Sequence, residues 1–333
     1  MTTAPAEVVT RLAGAGLTRE AGPDDAAGGT ERYSAVLPVG HPALAGHYPG
    51  YPIVPGVFLV EIAASAEAFR LGVPELGDRW TGVPSVRFRA PVFPGQRILL
   101  DRTERRGRPR YALSHEDGTA VATVDLDVAG EAREPGGPAE AAAPPASSAP
   151  SADYPRPEEI LPHRPPMLLL DRVESVEPGA AVTATYTVTA GAGGATPDGA
   201  AGAMPWPLVV ESWAQAAAML TTWHEPTPDV RTGSVLLFGG AREVTFGAPA
   251  PAGTTLTHEV TLVADSGGAA VLSGSSRAGD REVLRVGQLT IGRRPASELP
   301  DPGQARNAAN AGGTADAANT ANTAQDENQE VAR

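Results

Sequence analysis

Two stretches of the chain are apolar at almost every position. One runs from Gly56 to Arg70 and is followed by Gly72 and Pro74, and the other runs from Pro207 to Trp223. Their length and composition predict helices, and glycine and proline are typical helix terminators. Pro207 suits a first helical position, where the backbone N–H has no acceptor within the helix. A helix that is apolar on nearly every face must be surrounded by other structure.

The surrounding structure is predicted by segments in which apolar and polar residues alternate. Alternation with a period of two is typical of strands that are buried on one face. The clearest examples are residues 110–115, 119–128, 183–189 and 255–263. Strands around a buried helix give an α+β unit, and the chain contains the ingredients for two such units.

Two pairs of similar segments indicate a tandem duplication. "FLVEIAASA" (58–66) matches "LVVESWAQA" (208–216) at an offset of 150 residues, which aligns Glu61 with Glu211. "VRFRAPVFPG" (86–95) matches "VTFGAPAPAG" (244–253) at an offset of 158. The larger second offset predicts an eight-residue insertion in the second copy. Two matches in the same order favour an internal repeat.

Composition separates these copies from the rest of the chain. Residues 1–30 are small and polar, residues 130–152 are a Pro/Ala/Ser/Gly linker, and residues 296–333 are rich in Ala, Asn and Thr. Such segments bury too little apolar surface to offset the entropy of ordering. We therefore expect a flexible N-terminus, two folded units over 31–129 and 153–295, a disordered linker and a disordered tail.

Charge and composition exclude several classes of function. The formal net charge of −13 argues against nucleic acid as the main partner. The absence of cysteine excludes disulfides and thiolate chemistry. No signal peptide and no membrane span are recognisable, so we expect a cytoplasmic protein. No spacing of His, Asp and Glu suggests a metal, and no glycine-rich loop suggests a nucleotide, so no cofactor is expected.

The acids within the apolar helices are the residues most indicative of chemistry. Glu61 and Glu211 each lie within a stretch predicted to be buried, and a buried acid must either pair or remain protonated. A satisfied structural acid is the simpler alternative. His47 precedes Glu61 by fourteen positions, in a turn rich in Gly and Pro. A neutral histidine beside a protonated glutamate forms an acid–base pair.

These motifs resemble one enzyme family. "GHYPGYPIVPGVFLVE" (46–61) is similar to the active-site segment of the hot-dog β-hydroxyacyl-acyl-carrier-protein dehydratases, the FabA/FabZ class. "ILPHRPPMLLLDRV" (160–173) resembles the start of those enzymes, and "MPWPLVVESWAQAA" (204–217) resembles their acid-bearing helix. The fused dehydratase domains of modular polyketide synthases are also similar. The resemblance implies a double hot-dog, in which each antiparallel sheet wraps a long central helix.

The resemblance also implies which residues react. In the family, histidine and acid come from different hot-dog units, so His47 would pair with Glu211 of the second copy. Pro197 stands where the second copy would carry its histidine, which would leave Glu61 vestigial and its pocket inactive. His47 would remove the α-proton, with its ring held by a backbone carbonyl of the "YPIVPG" turn. A protonated Glu211 would protonate the leaving hydroxyl.

Further residues are assigned supporting roles by the resemblance. Gly56 matches the family's backbone donor to the thioester oxygen, and Trp206 is the candidate if the donor comes from the helix of Glu211. Tyr48, Pro55 and Gln215 are expected to line or support the tunnel, although a purely structural role for Gln215 is equally open. His163 and His41 are expected at the entrance, and His115, His224 and His258 at the surface or on strand faces.

The implied substrate is a β-hydroxyacyl chain on an acyl carrier protein, in fatty-acid or polyketide synthesis. Carrier proteins are acidic, so docking needs a positive patch, for which Arg87, Arg89, Arg105 and Arg106 are candidates. A solvated hairpin tip is the alternative for this arginine cluster. A hot-dog thioesterase and a decayed scaffold subunit remain alternative functions. The two copies would form a pseudo-dimer within one chain, with further homodimerisation possible.

Overall fold

The computed structural model describes residues 16–20, 30–130, 154–189 and 202–301. The helices are α1 (Pro42–His47), α2 (Gly56–Leu71), α3 (Pro157–Ile160) and α4 (Trp206–Thr221), with 3₁₀ turns at Gly77–Arg79 and Ala296–Glu298. The first six strands are β1 (Thr18–Glu20), β2 (Glu31–Val36), β3 (Trp80–Phe88), β4 (Arg97–Arg105), β5 (Arg108–His115) and β6 (Ala120–Val128). The other six are β7 (Arg172–Glu177), β8 (Ala181–Thr187), β9 (Ser234–Phe246), β10 (Thr255–Asp265), β11 (Ala269–Ala278) and β12 (Arg281–Pro295).

The strands form one antiparallel sheet whose order reveals an internal symmetry. The order is β1-β2-β4-β5-β6-β3-β9-β12-β11-β10-β8-β7. If β9 to β12 are matched with β3 to β6, the second half of this order is the first half reversed. The duplication predicted from sequence is therefore present as two units related by a pseudo-twofold axis that passes between β3 and β9.

The seam between the units depends on glycine in both strands. Strand β3 pairs antiparallel with β9, with Val83 opposite Val244 and Val86 opposite Ala241. A Cβ on Gly82 would lie 2.3 Å from the carbonyl oxygen of Val244, and one on Gly240 would lie 2.3 Å from that of Val86. Only glycine permits so close an approach of two backbones.

The two central helices lie against each other and against the sheet. Each has sixteen residues and follows a proline, Pro55 before α2 and Pro205 before α4. Helix α2 ends at Gly72, which has left-handed geometry with φ of 68°. Nearly every face of both helices is buried, as their composition predicts. The α+β double hot-dog fold is thus confirmed, with the sheets joined edge to edge.

The domain boundaries expected from sequence need one correction. Strand β1 lies within the N-terminal segment expected to be flexible, where it pairs with β2 and extends the sheet. The expected tail begins at residue 296 with a 3₁₀ turn and is described as far as residue 301. The remaining tail, the linker beyond residue 130 and Pro197 lie outside the described residues. Among the helices that the structure describes, none is long and apolar enough to cross a membrane.

Candidate active site

The site is a cavity of about 260 Å³ between the two units, termed here the catalytic pocket. The first unit contributes His47 and Gly56, and the second contributes His163 and Gln215. Glu211 is buried beside it, and the nitrogen and oxygen atoms of His47, His163 and Glu211 lie within 4.8 Å of one another. The structure therefore brings His47 together with the acid of the other copy.

His47 is held by the turn that follows it. Tyr48 to Tyr51 form a turn in which the Tyr51 N–H donates to the Tyr48 carbonyl, with Gly50 at φ of 80°. Proline followed by glycine at the two central positions is typical of a type II turn. The turn directs the Ile53 carbonyl to the His47 ring, whose Nδ1–H donates to it at 3.2 Å. The Nε2 lone pair is therefore free for proton abstraction.

Tyr48 fixes the plane of the His47 ring. The two rings are stacked with centroids 4.3 Å apart and an interplanar angle of 2°. The Tyr48 hydroxyl donates to the Leu236 carbonyl of the second unit at 2.6 Å. Tyr48 is therefore placed to support His47 by holding the plane of its ring. Pro55 serves as the N-cap residue of α2.

A close backbone contact joins the histidine segments of the two units. The Arg164 N–H donates to the Gly46 carbonyl at 2.8 Å. A Cβ on Gly46 would lie 2.4 Å from the Arg164 carbonyl oxygen. Because Gly46 precedes His47 and Arg164 follows His163, this contact brings the two imidazoles to a centroid distance of 5.2 Å.

Glu211 lies on α4, where its side chain is only 1% exposed. Its Oε1 is 3.4 Å from His163 Nε2 and accepts a hydrogen bond of 3.0 Å from the Gln215 amide. Its Oε2 has no partner among the described residues. One carboxylate oxygen is thus anchored, and the other is available to a substrate.

Gln215 is held by backbone groups of the loop that precedes β7. Its amide donates to the Met167 carbonyl at 2.7 Å, and its Oε1 accepts from the Leu169 N–H at 2.8 Å. Because both ends of the amide are fixed, the side chain presents an N–H to Glu211. Gln215 therefore combines the two roles that the sequence left open.

The electrostatics of the pocket favour a neutral base. Burial and, to a smaller extent, the nearby His163 lower the pKa of His47 to about 4 against the opposing effects of Glu211 and the Ile53 carbonyl. Burial alone would raise the pKa of Glu211, but the hydrogen bond and charge of His163, with contributions from His47 and Gln215, hold it below its usual range. The nearby histidines therefore favour the ionised form of Glu211 over the protonated form expected from sequence, which did not place His163 against it.

The helix N-terminus at the catalytic pocket is that of α2. Gly56 is the first residue of α2 and lines the pocket, and the first N–H groups of a helix have no acceptor within it. Trp206, the first residue of α4, instead lines the cavity around Glu61. The alternative that assigned the donor to Trp206 is therefore wrong, since each pocket combines the N-terminus of one helix with the acid of the other.

Glu61 occupies the equivalent cavity on the other side of the seam, termed here the Glu61 cavity. This cavity is also about 260 Å³, and Glu75 and Asp78 are among its lining residues. Burial and the nearby Glu75 raise the pKa of Glu61 to about 7. No histidine is among the described residues that line it.

His47, His163 and Glu211 also form a possible set of metal ligands, which the spacing in sequence did not suggest. Zinc bound at about 2.1 Å in a tetrahedron needs ligand atoms roughly 3.4 Å apart. The His163–Glu211 distance of 3.4 Å fits, and the three ligand atoms lie within 4.8 Å of one another. The observed arrangement suits proton transfer without rearrangement.

The other histidines differ partly from expectation. His163 contacts the acid itself, a role that its position in the "PHR" motif could have suggested. His41 is buried and packs edge-on against Phe58 at 5.9 Å, so it does not lie on the lip of the loop. His258 is fully buried and lies 2.7 Å from both the Ser212 and Ser276 hydroxyls. His224 is exposed, as expected.

The candidate docking arginines fall at two different ends of β3. Arg89 follows the end of β3 at the catalytic pocket and, together with Arg294 of the second unit, lines that pocket. Both are exposed and without an ion-pair partner among the described residues. Arg105 lies at the β4–β5 hairpin, at the same end of the sheet as Trp80, which begins β3. Its side chain is 3.8 Å from that of Asp125. The expectation that the hairpin arginines lie near the catalytic mouth is thus wrong.

Comparison with known proteins finds a dehydratase family for each unit. Residues 26–125 match the ApeI dehydratase family and residues 155–298 match the ApeP dehydratase family. A 3-hydroxyacyl-[acyl-carrier-protein] dehydratase FabZ from Clostridium tetani is 34% identical over 131 residues, which covers 38% of this chain and 88% of that protein. The FabZ from Roseiflexus castenholzii is 37% identical over 97 residues, covering 28% of this chain and 65% of that protein. The match with this chain spans only 58% to 63% of the length of three further FabZ proteins.

Solved structures with the same fold are dehydratase domains. The dehydratase domain of PpsC from Mycobacterium tuberculosis, in complex with C12:1-CoA, has a TM-score of 0.57 at 16% identity, covering 88% of this chain and all of that domain. The dehydratase domain from the CurJ module of curacin polyketide synthase has a TM-score of 0.60 at 12% identity, covering 85% and 98%. These likenesses establish the double hot-dog fold, and the sequence relatives establish that this chain belongs to the FabZ family of 3-hydroxyacyl-[acyl-carrier-protein] dehydratases.

Proposed function

We propose that this protein removes water from β-hydroxyacyl thioesters to give trans-2-enoyl thioesters. The observation that carries the proposal is the catalytic pocket itself, where His47 of one unit and Glu211 of the other lie together with atoms within 4.8 Å. Each side chain is fixed by hydrogen bonds, and Glu211 Oε2 has no hydrogen-bond partner among the described residues. Two oriented groups that differ in proton affinity suit elimination by acid and base.

In this mechanism His47 is the base. Its Nδ1–H is engaged by the Ile53 carbonyl, so Nε2 takes the α-proton of the substrate. The low pKa of His47 keeps the ring neutral before the reaction. Enolate character then develops on the thioester oxygen, and the Gly56 N–H at the start of α2 is the donor that stabilises it.

The acid is the buried pair of Glu211 and His163. An ion pair of protonated His163 with ionised Glu211 contains the same number of protons as a neutral pair, and either form is uncharged overall. A buried site favours such a neutral total, and the proton belongs to the pair rather than to one residue. The proton passes through Glu211 Oε2 to the departing hydroxyl, which leaves as water.

A product assay separates this function from its alternatives. The protein is incubated with a carrier protein that bears a β-hydroxyacyl chain, and the mass of the product is measured by mass spectrometry. Dehydration predicts the loss of one water from the acyl chain. Free acid would instead identify a thioesterase, and an unchanged substrate would identify a scaffold, so both results contradict the proposal.

We propose an acyl carrier protein as the partner, docked at the catalytic mouth. The chain is acidic overall, so an acidic carrier requires a local positive surface. Arg89 and Arg294 provide such a surface on opposite units, and Arg87 is exposed on the same strand as the Phe88 that lines the pocket. Arg105 and Arg106 remain untested as docking residues, but their distance from the mouth argues for a local role at the hairpin.

Charge reversal tests this docking surface. Arg89→Glu with Arg294→Glu should raise KM for the carrier-bound substrate, while turnover of a short pantetheine thioester, which needs no docking, should barely change. Arg105→Glu with Arg106→Glu is the matched control and should leave both substrates unaffected. A larger effect from the hairpin variant would reverse the assignment of the docking site.

A further inference from the structure

A third cavity lies between the two central helices, on the pseudo-twofold axis, and is termed here the inter-helix cavity. It measures about 40 Å³ and is bounded by apolar side chains of α2, α4 and the seam strands β3 and β9. A cavity needs roughly 10–15 Å³ of this volume to hold one water-sized group, so the inter-helix cavity has room for about three groups of that size. Its lining contains no charged side chain among the described residues.

The inter-helix cavity adjoins the catalytic pocket. Phe88, Ala214 and Phe238 line both cavities, so one layer of side chains separates them. The ring of Phe88 also covers Gly56, since a Cβ on Gly56 would lie 3.0 Å from its Cζ. An apolar chain that enters beside His47 therefore meets the inter-helix cavity directly behind Phe88.

The other end of the inter-helix cavity is closed by aromatic rings. Trp80 contacts Phe246 edge-on at 5.2 Å, and Phe246 stacks on Trp206 at 4.8 Å with an interplanar angle of 2°. Trp80 and Phe246 face the inter-helix cavity, whereas Trp80 and Trp206 face the Glu61 cavity. These three residues form the aromatic wall between the two cavities.

The aromatic wall breaks the symmetry of the repeat. Phe88 and Phe246 occupy equivalent positions in "VRFRAP" and "VTFGAP", and Gly56 and Trp206 are the first residues of the two central helices. At the catalytic side the phenylalanine packs over a glycine, which leaves room behind it. At the other side the phenylalanine packs over a tryptophan, which fills the corresponding space.

We propose that the inter-helix cavity receives the end of the acyl chain and that the aromatic wall sets the longest chain accepted. This inference rests on the proposed function, because it names the part of the substrate that enters. The alkyl end has the right chemistry for a dry apolar cavity. The cavity is small and ends at the aromatic wall, so only a few carbons beyond the catalytic pocket fit and longer chains are excluded.

The test compares substrates of increasing chain length. Trp206→Gly gives the aromatic wall the glycine that the first copy has at the equivalent position, Gly56. Phe246→Leu replaces an aromatic ring of the wall with a smaller side chain and introduces no charge. In both, the ratio of kcat/KM for long over short β-hydroxyacyl pantetheine thioesters should rise about tenfold or more, the scale at which methylene groups alter specificity. Trp223→Gly, which removes a ring that packs on Tyr154 away from these cavities, should leave the ratio unchanged.

Binding separates failure of this inference from failure of the proposed function. Calorimetry with saturated acyl pantetheine thioesters, which cannot be dehydrated, measures the corresponding ratio of affinities (1/Kd) for long over short chains. A raised ratio in either wall variant supports the cavity even if the wild type dehydrates nothing. Ratios unchanged from wild type in both folded wall variants, or a rise equalled by Trp223→Gly, overturn it.

Discussion

At the scale of single residues, the protonation of the catalytic pocket follows from its burial. His47 and Glu211 are almost inaccessible to solvent, so each charge must be balanced within the pocket. The Ile53 carbonyl fixes the proton of His47 on Nδ1, and His163 Nε2 lies 3.4 Å from Glu211 Oε1. The site therefore keeps a neutral base beside an acid pair whose total charge is zero.

The low pKa of His47 makes a prediction about acid conditions. The base must be neutral to act, so activity is present above its pKa and is lost as the pH falls through it. With a pKa of about 4 instead of the usual 6.5, kcat/KM for a pantetheine substrate should still be near its maximum at about pH 5.5. Rates measured at a series of acidic pH values test this loss of activity, and circular dichroism at each pH checks that the protein remains folded. A midpoint near 6.5 would contradict a buried neutral base.

His163 should be necessary for the acid step. His163→Asn removes the ring nitrogen 3.4 Å from Glu211, so the pKa of Glu211 should rise and the carboxyl should release its proton less readily to the leaving hydroxyl. We expect kcat to fall about 100-fold, the lower range for a general acid, with KM nearly unchanged. His224→Asn, at an exposed histidine, is the control. Equal turnover in the two variants would show that Glu211 acts without His163.

At the scale of secondary-structure elements, the pocket forms where α1 and its turn meet the loop that leads to β7. The contact is between backbones, so it depends on the absence of a side chain at Gly46. The same principle holds at the seam, where Gly82 and Gly240 permit β3 and β9 to pair. Small residues at these positions determine how the elements of the two units fit together.

Gly46 gives a prediction with a close control. Gly46→Ala places a methyl 2.4 Å from the Arg164 carbonyl oxygen, so the segments that carry His47 and His163 must separate. A displacement of about 1 Å in a catalytic group is enough to reduce kcat roughly 100-fold. Gly40→Ala, where an added Cβ meets nothing within 4 Å, should retain full activity. Similar rates in both variants would refute the positioning role of this contact.

The elements themselves were largely predictable from sequence. The apolar runs predicted both central helices to within two residues at each end, and alternation located four of the twelve described strands, β5, β6, β8 and β10. Strand β1 was missed because three residues carry no periodic signal, and it is stabilised by pairing with β2. The contact of His163 with Glu211 was missed because it depends on the meeting of two segments far apart in sequence, which spacing does not encode.

At the scale of the whole molecule, the chain contains within itself the two units that form one site. The sheet crosses from one unit to the other at β3 and β9, and the pocket brings together His47 of one unit and Glu211 of the other. The Glu61 cavity, by contrast, has no histidine in its described lining. The asymmetry between the copies is thus central to the account.

The seam should determine the stability of the whole chain. Gly240→Ala forces a methyl to 2.3 Å from the Val86 carbonyl oxygen and should lower the free energy of unfolding by about 2 kcal/mol or more. Gly239→Ala is the adjacent control, since its Cβ would make only an ordinary contact of 3.5 Å with Thr290. Urea denaturation measures both variants. A loss no greater for Gly240→Ala than for its neighbour would show that the seam tolerates separation.

The most direct test of a single composite site is the turnover of Glu211→Gln beside that of Glu61→Gln. The two acids occupy equivalent positions of the repeat, so the substitutions are chemically identical and differ only in the pocket they affect. With a β-hydroxyacyl pantetheine substrate, we predict that Glu211→Gln loses about 100-fold or more of kcat, while Glu61→Gln keeps most of it. Comparable losses in the two folded variants would contradict the account.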